Sequence, residues 1–254
     1  MLELLFLIGL IFLISVLFYK QRRGSLELLQ AEESQVEEQL SDLLEEQQPL
    51  IIRGIAPPKG LTKEALQKIP RLAEFSVGGQ PLGSILETPA ILYSANGMPT
   101  LSRERRELLA NELSIHLWAD HLWLQRFAQT TWVGWMLGCM RTEVVLGGMG
   151  MFKTVARYTS IMPTEGTYIV SIVSKESESF LPKNWNYRYP GSLTPNDTPL
   201  VADLKYLDVV LRPGTMICLP PHIIISIQPK EQEFAAAAIV EYHEPISILA
   251  KSFS

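Results

Sequence analysis

The spacing of apolar residues differs among three regions of the chain and predicts a different element in each. Residues 2–19 are largely apolar, with Glu3 as the only charge, and predict one apolar helix. Between residues 24 and 48, apolar side chains recur every three or four positions, as in an amphipathic helix. Beyond residue 130 the spacing approaches two, which is typical of β-strands. We therefore expect an N-terminal helix, a helical stalk and a globular domain over residues 49–254.

The N-terminal apolar run has the length of a membrane span. Its 18 residues would cover about 27 Å as a helix, close to the hydrocarbon thickness of a bilayer. Lys20, Arg22 and Arg23 follow at once and favour a cytosolic position for the rest of the chain. A cleaved signal peptide fits less well, because no basic segment precedes the run and no small-residue cleavage motif follows it. Residues 1–23 are thus expected to be a single-pass transmembrane anchor with a lumenal or exterior N-terminus.

The predicted stalk, residues 24–48, is strongly acidic. It contains eight acidic residues and no basic one. Its apolar stripe consists of Leu26, Leu29, Val36, Leu40 and Leu43. Such a stripe suits two arrangements, packing against its own domain or self-association with a second copy in a short coiled coil. Either arrangement predicts a helix throughout the segment.

In the globular domain, the pattern predicts helices first and strands later. Thr62 can cap a helix over Lys63–Lys68, and Ser102 can cap a long helix from Leu101 to Phe127. The predicted strands are 50–52, 168–173, 207–211, 216–219, 223–227 and 236–242. Turns are predicted at Met162-Pro163, at 212–214 and at 220–221. Short strands at this spacing favour an antiparallel barrel or jelly roll with flanking helices.

Composition and charge exclude some classes of protein. The net charge of −5 and the lack of a large basic cluster beyond residue 23 argue against nucleic-acid binding. Two cysteines, Cys139 and Cys218, are too few for a disulfide framework in a domain of this size. We expect both to be buried small side chains in a reducing compartment.

Three phrases of the sequence resemble the Jumonji-C-type, cupin-like family. Pro49–Gly54 is similar to the opening strand of that family, and Trp132–Gly134 to the strand ahead of its first metal motif. Leu211–His222 is similar to its late hairpin, with a Pro-Gly turn, a strand and a Pro-Pro pair. The resemblance covers about residues 49–245. It implies a cupin-like double-stranded β-helix, which is a jelly roll.

The same resemblance implies an inactive barrel. Active members of the family are oxygenases that use 2-oxoglutarate and Fe(II), with two histidines and a carboxylate on the iron. This chain has no histidine between His121 and His222, and Ile225 stands at the place of the second metal histidine. We therefore expect no catalytic, metal-binding or cofactor-binding residue, and we expect Ile225 to lie in the packed interior. Remaining candidate ligands such as Glu143 and Asp203 would have to bind a divalent ion without nitrogen donors, which suits magnesium or calcium better than Fe(II).

A row of polar residues on the predicted long helix offers another candidate site. Glu112, His116 and Asp120 are four residues apart, and His121 follows directly. On a continuous helix they would share one face, which suits either a solvated surface or a metal or acid–base site. The spacing alone is compatible with a solvated surface and with a metal or acid–base site.

Several isolated features have mainly structural interpretations. His222 and His243 are expected to be exposed residues at a turn and after the last strand. The glycine-rich run 147–150 is expected to be a close-packed loop or bulge at the barrel rim, because it lacks the strand–turn–helix context of a dinucleotide site. The segment from Trp132 to Phe152 is nearly apolar, and Trp132, Trp135 and Met136 could touch a membrane surface.

These features together favour a membrane-anchored, non-catalytic cupin-like module for binding or structure. Its layout resembles that of proteins encoded by large DNA viruses of algae, which implies a virion-membrane or capsid-associated role. The expected partners are the lipid bilayer through residues 2–19, an unidentified protein and a second copy of the stalk. The alternatives are an oxygenase or other enzyme with an unconventional site, and an oligomer in which the barrel only spaces partners. The domain is expected on the cytosolic side, or on the interior side of a viral membrane.

Overall fold

Two β-sheets form the centre of the computed structural model, which describes residues 2–20, 27–36, 43, 46–92, 97–121, 138–245 and 248. The strands are β1 Leu29–Glu32, β2 Leu50–Arg53, β3 Ser76–Val77, β4 Gln80–Pro81, β5 Cys139–Leu146, β6 Met149–Lys153, β7 Tyr158–Glu165, β8 Tyr168–Val173, β9 Tyr206–Leu211, β10 Thr215–Leu219, β11 Ile224–Pro229 and β12 Ala236–His243. The helices are α1 Leu2–Lys20, α2 Lys63–Gln67, α3 Pro70–Ala73, α4 Leu82–Glu87, α5 Arg103–Glu112 and α6 Ile115–Ala119, with short 3-10 helices at Pro89–Leu92, Lys175–Phe180, Pro190–Ser192 and Val201–Asp203.

The strand order is that of a jelly roll. One sheet has the order β1-β2-β10-β7-β12-β5, and the other has the order β6-β11-β8-β9. Within both sheets every pair is antiparallel except β1 with β2. From β5 to β12 the chain crosses between the sheets at every connection except the hairpin from β8 to β9. The predicted mainly β fold with flanking helices is therefore confirmed, and the strand order is the one that jelly rolls share.

Apolar residues from both sheets fill the space between them. This core includes Ile161, Tyr168, Val170, Ile172, Leu211, Ile217, Leu219, Ile225, Ile227 and Ile239. On the other face of β5 and β12, Val144 and Ala238 pack against Leu109 and Ala110 of α5. Because β12 is buried on both faces, its sequence is almost continuously apolar instead of alternating.

The predicted caps of two helices are confirmed. The Thr62 hydroxyl accepts a hydrogen bond from the Ala65 amide at 3.3 Å, and Ser102 accepts one from Arg105 at 3.5 Å. Each side chain thereby satisfies an amide that the first turn of a helix leaves without a partner. The predicted strands at 50–52, 168–173, 207–211, 216–219, 223–227 and 236–242 are also confirmed to within one or two residues.

The long helix predicted from Leu101 to Phe127 is wrong as a continuous element. Helix α5 ends at Glu112, and Ser114 adopts a left-handed backbone with φ of 54° before α6 begins. Both helices still contact β5, and Ile115 of α6 belongs to the same apolar cluster as Leu109, whereas Ala119 at the end of α6 belongs to another cluster. Residues 122–127 lie outside the described residues.

The predicted turn at Met162-Pro163 is also wrong. Both residues lie inside β7, which pairs with β10 on one side and β12 on the other. Proline lacks the amide that a central strand needs, and the pairing of β7 with β12 shifts register beside Pro163. The pairing with β10 covers only Thr159–Ile161, so Pro163 is paired on one side alone, and the irregularity lies on that side. The turn predicted at 212–214 is confirmed, with Gly214 at φ of 88°.

The helical stalk is wrong where the structure describes strand β1. Leu29–Glu32 pairs in parallel with β2, so the segment adds a strand to the larger sheet. The Leu29 amide donates to the Pro49 carbonyl at 2.9 Å, and the Glu27 amide donates to the Gln48 side chain at 3.1 Å. Ala31 and Val36 are buried in an outer cluster against which Leu29 and Leu43 also pack, so this part of the apolar stripe lies against its own domain. Leu26 and Leu40 lie outside the described residues.

The predicted N-terminal helix is present as α1, and its apolar side chains are exposed. Leu4, Leu5, Phe6, Ile8 and Ile11 are each more than half exposed. Among the residues that the structure describes, no helix combines the length and the apolar character that crossing a membrane requires. The transmembrane anchor stays a prediction.

Two expected burial states are corrected by the structure. Cys218 is buried in β10 as expected, but Cys139 is exposed at the start of β5. His222 is buried instead of exposed, with φ of 64°, and its amide donates to the Thr154 carbonyl at 2.8 Å. The Pro-Pro turn therefore folds back onto the barrel and carries His222 inward with it. The segment from Trp132 to Met136 lies outside the described residues.

Candidate functional site

A cavity of about 440 Å³ opens at one end of the space between the sheets. Strands β5, β6 and β12 provide one part of its wall, and helix α5 and the segment 185–187 provide the rest. It is lined by Arg103, Arg106, Glu143, Met149, Phe152, Lys153, Val155, Trp185, Asn186, Tyr187, Ile239 and Glu241. The volume is within the usual range for small-molecule sites.

Strand register places two glutamates on the inner face of the larger sheet. Glu143 lies opposite Ile239 in the pairing of β5 with β12, and Ile239 belongs to the core between the sheets. Glu241 is two residues beyond Ile239 and therefore points to the same face. Both glutamates are buried. The two strands thus bring two carboxylates into the cavity wall.

Helix α5 supplies the guanidinium groups that hold these carboxylates. Arg103 and Arg106 are three residues apart and therefore share a helix face. The Arg106 Nε lies 2.9 Å from Glu143 Oε2, and the Arg103 Nε lies 2.8 Å from Glu143 Oε1. The Arg103 Nη2 lies 2.6 Å from Glu241 Oε2. Arg103 therefore bridges the two carboxylates, while Arg106 also donates to the Leu101 carbonyl at 3.0 Å.

His243 adjoins this network beyond Glu241, at the end of β12. It is buried, with its Nε2 3.2 Å from Glu241 Oε2, so the expected surface position is wrong. Burial alone would raise the pKa of Glu241, but the hydrogen bond with His243 and the charge of Arg103 outweigh it and lower the pKa. Burial likewise acts to lower the pKa of Arg103, yet Glu241, Glu143 and Glu107 more than offset it and raise the pKa. Glu241 is thus held as an anion and Arg103 as a cation.

The segment 185–188 closes the cavity along the free edge of β6. The Tyr187 amide donates to the Met151 carbonyl, and the Met151 amide donates to the Arg188 carbonyl, each at 2.8 Å. Tyr187 has φ of 61°, an unfavourable conformation for a bulky residue. Arg188 holds the segment through two bonds of 2.6 and 2.8 Å to Asp197. Strained residues of this kind are concentrated at functional sites.

The glycine-rich run at 147–150 is a close-packed turn at this rim, as predicted. Gly147 has φ of 75° in the connection from β5 to β6. A Cβ atom at Gly150 would overlap the backbone of Tyr187. Only glycine allows the strained segment to approach β6 so closely.

The residues at the family's metal positions do not fit iron. Ile225 is fully buried and pairs with Phe152 of β6, which lines the cavity, and with Ile172 of β8. The predicted interior position of Ile225 is therefore confirmed. An isoleucine at this position offers no nitrogen donor, and Glu143 already pairs with two arginines. Asp203 lies exposed in a 3-10 helix and does not line the cavity.

The polar row on the predicted long helix is not one stripe. The break at Ser114 separates Glu112 from His116 and Asp120, and Glu112 pairs with Arg71. Across the described ranges, no three histidine, cysteine, aspartate or glutamate side chains lie together as a metal site would require.

Sequence reasoning missed the role of Arg103 and Arg106. The run Arg103–Arg106 is the only basic cluster beyond residue 23, and a predicted helix places its two outer arginines on one face. Glu241 follows the apolar run Ala236–Val240, and Glu143 directly precedes the apolar run Val144–Leu146. A charged side chain in a buried strand requires a partner of opposite charge. This requirement is the signal that could have linked the two glutamates to the two arginines.

The fold and the cavity together define a class, a jelly-roll protein with a buried arginine–glutamate network at the mouth of its barrel. No protein-family model matches the chain, and no curated protein matches it either. One similar solved structure is Peruvianin-I, a cysteine peptidase from Thevetia peruviana latex, at 15% identity and a TM-score of 0.27 over 43% of this chain and 52% of that one. Another is the Drosophila melanogaster CENP-C cupin domain, at 14% identity and a TM-score of 0.25 over 39% of this chain and 57% of that one.

The chain thus spans about half of the length of both structures. The jelly-roll fold of the chain is defined by the strand order of its two sheets.

Proposed function

We propose that this chain is a cupin-like barrel that binds a ligand at its mouth and catalyses no metal-dependent oxidation. The observation that carries the proposal is the pairing of both cavity carboxylates with arginine. Glu143 has a guanidinium nitrogen within 3 Å of each carboxylate oxygen, and Glu241 pairs with Arg103 and His243. A carboxylate neutralised in this way is a poor general base and a poor ligand for iron.

The position of Ile225 supports the same proposal. In the resembled oxygenases that position carries a metal histidine, whereas here it adds an apolar side chain to the core beside the cavity. Apolar side chains therefore fill the interior next to the cavity. A ligand can then bind only at the charged mouth of the barrel, where the arginine–glutamate network lies.

A titration with Fe(II) and 2-oxoglutarate tests the absence of oxygenase chemistry. We expect no joint increase in the melting temperature of the full-length chain in detergent under anaerobic conditions. Specific binding at a hundredfold excess over the dissociation constant would stabilise the fold by about 2.7 kcal/mol, which corresponds to a shift on the order of 5–10 °C. A shift that requires both compounds and disappears with a chelator would contradict the proposal and favour an oxygenase with an unconventional site.

We further propose that α1 attaches the domain to a membrane, with the domain on the cytosolic side. The exposed apolar side chains of α1 would leave water on entering lipid, and its apolar run is followed by Lys20 at the end of the helix and by Arg22 and Arg23 just beyond it. A virion membrane would provide the same attachment, with the domain on its interior side. In either setting a partner protein would bind the domain beside the bilayer.

Carbonate extraction and protease protection test this attachment. The full chain is expected to stay with carbonate-washed membranes, and a variant lacking residues 1–23 is expected in the supernatant. Protease added outside intact cells should leave the domain uncut, because the basic flank favours a cytosolic domain. The matched control neutralises Lys20, Arg22 and Arg23 and should retain attachment while mixing the two orientations. Release of the intact chain by carbonate would exclude the anchor, and digestion from outside would exclude the orientation.

A further inference from the structure

We propose that the ligand of the barrel mouth is a small aromatic carboxylate, with its anionic group at Arg103 and Lys153 and its ring among the aromatic side chains of the cavity. This inference rests on the proposed function, because it names the class of ligand for the same site. Three features of the cavity support it separately: the charge of its lining, the hydrogen-bond donors available to a ligand, and its apolar walls.

The charges that line the cavity favour an anion. Three basic side chains, Arg103, Arg106 and Lys153, face two acidic ones, Glu143 and Glu241. The two glutamates are already paired with arginines and with His243. The net charge of the lining groups is therefore positive, by three minus two, and the further partners Glu107 of Arg103 and Glu178 of Lys153 do not line the cavity. A cation would have to displace an arginine from a buried carboxylate.

Two donors remain for a ligand. Among the described residues, Arg103 forms its ion pairs through Nε and Nη2, which leaves Nη1 available. The Arg103 side chain is 38% exposed, so this nitrogen can reach a ligand in the cavity. Lys153 lies at the exposed end of β6, with its Nζ 3.8 Å from Glu178. Charged donors of this kind form short, strong hydrogen bonds with carboxylates.

The remaining walls suit a flat apolar group. Phe152, Trp185 and Tyr187 line the cavity together with Met149 and Ile239. Phe152 and Tyr187 also pack against the core between the sheets, which fixes their rings. Aromatic rings pair with further stabilisation beyond the apolar area that they bury. The strained backbone of Tyr187, held by Arg188 and Asp197, keeps this wall in place before a ligand binds.

Three probes of one shape and different charge test the proposal: benzoate, benzamide and benzamidine. Isothermal titration calorimetry with the full-length chain in detergent is expected to detect benzoate. Neutral benzamide should bind at least about tenfold more weakly, because it loses the charge-assisted bonds. Benzamidine should not bind, because it is a cation. Replacing Lys153→Met should weaken benzoate about threefold to tenfold, whereas Lys59→Met, an exposed lysine outside the cavity, should change nothing.

The outcomes separate this proposal from the proposed function. Equal affinity for all three probes, or tighter binding of benzamidine, would overturn the assignment of an anionic ligand. An undiminished benzoate affinity in Lys153→Met would remove the ligand from this cavity, and so would a lack of benzoate binding. None of these results would produce the joint Fe(II) and 2-oxoglutarate shift, which alone contradicts the proposed function. Melting curves of each variant without probe establish that the fold is intact.

Discussion

Replacing Ile225→Asp is expected to lower the free energy of unfolding by at least about 4 kcal/mol. Ile225 has no exposed surface and lies in the core between the sheets, opposite Phe152 on one side and Ile172 on the other. The substitution removes apolar contacts and introduces a carboxylate without a partner. The buried carboxyl would respond with a raised pKa, so the loss of stability should be smaller at low pH. Thermal and chemical unfolding of the full chain in detergent measure the effect.

Three controls separate the causes of this loss. Ile225→Val should cost only about 1 kcal/mol, since it removes one methylene. Ile225→Asn has nearly the shape of the aspartate without its charge, and its stability should vary less with pH. Val210→Asp places the same charge at a position of β9 that is 49% exposed and should change stability by roughly 0.5 kcal/mol or less. Similar losses in Val210→Asp and Ile225→Asp would contradict the interior position of Ile225.

The later strands were predictable because their sequences allow few alternatives. Tyr168–Val173 is a run of apolar residues with β-branched side chains, and its prediction matches β8 at both ends. The turn with Arg212, Pro213 and Gly214 separates β9 from β10 at a positive φ that glycine adopts readily. Pro163 misled the prediction, because proline usually excludes a central strand, whereas here it lies beyond the residues that pair with β10 and beside a register shift in the pairing with β12.

Strand β1 was not predictable from local spacing. Leu29, Val36 and Leu43 have the period of a helix, and local spacing alone does not reveal a strand that could pair with this segment. The structure instead pairs Leu29–Glu32 with β2, whose opposite edge is paired with β10. The backbone hydrogen bonds that complete this sheet edge outweigh the helical preference of a short segment, since helical preferences amount to a few tenths of a kcal/mol per residue.

The candidate site was only partly visible in the sequence for a similar reason. Arg106 and Glu143 are 37 residues apart, and Arg103 and Glu241 are 138 apart, so no local motif connects them. The sequence identified Glu143 as a spare carboxylate and identified the basic run that contains both arginines. The jelly-roll topology brings them together, because β5 and β12 are neighbours and α5 packs against β5.

Replacing Glu143→Leu is expected to destabilise the domain by about 3–5 kcal/mol, the usual consequence of removing one partner from a buried ion pair. Arg106 has only 8% of its side chain exposed, and without Glu143 it would keep only the Leu101 carbonyl. Arg106→Met should be less harmful, because Arg103 would still neutralise Glu143. The double variant Glu143→Leu with Arg106→Met should regain most of the stability, since it leaves no buried charge without a partner. Unfolding curves of the four proteins give the coupling between the two residues.

An exposed ion pair provides the matched control for this cycle. Arg71 pairs with Glu112, but its side chain is 69% exposed, so Arg71→Met should cost about 1 kcal/mol or less. The difference between the two pairs follows from solvation, because water can replace the partner of Glu112 but cannot reach Arg106 to the same extent. If Glu143→Leu were no more harmful than Arg71→Met, the network would not be buried in solution. Full additivity of the double variant would show that Arg106 and Glu143 do not interact, and would contradict the pairing of Glu143 with two arginines on which the proposed function rests.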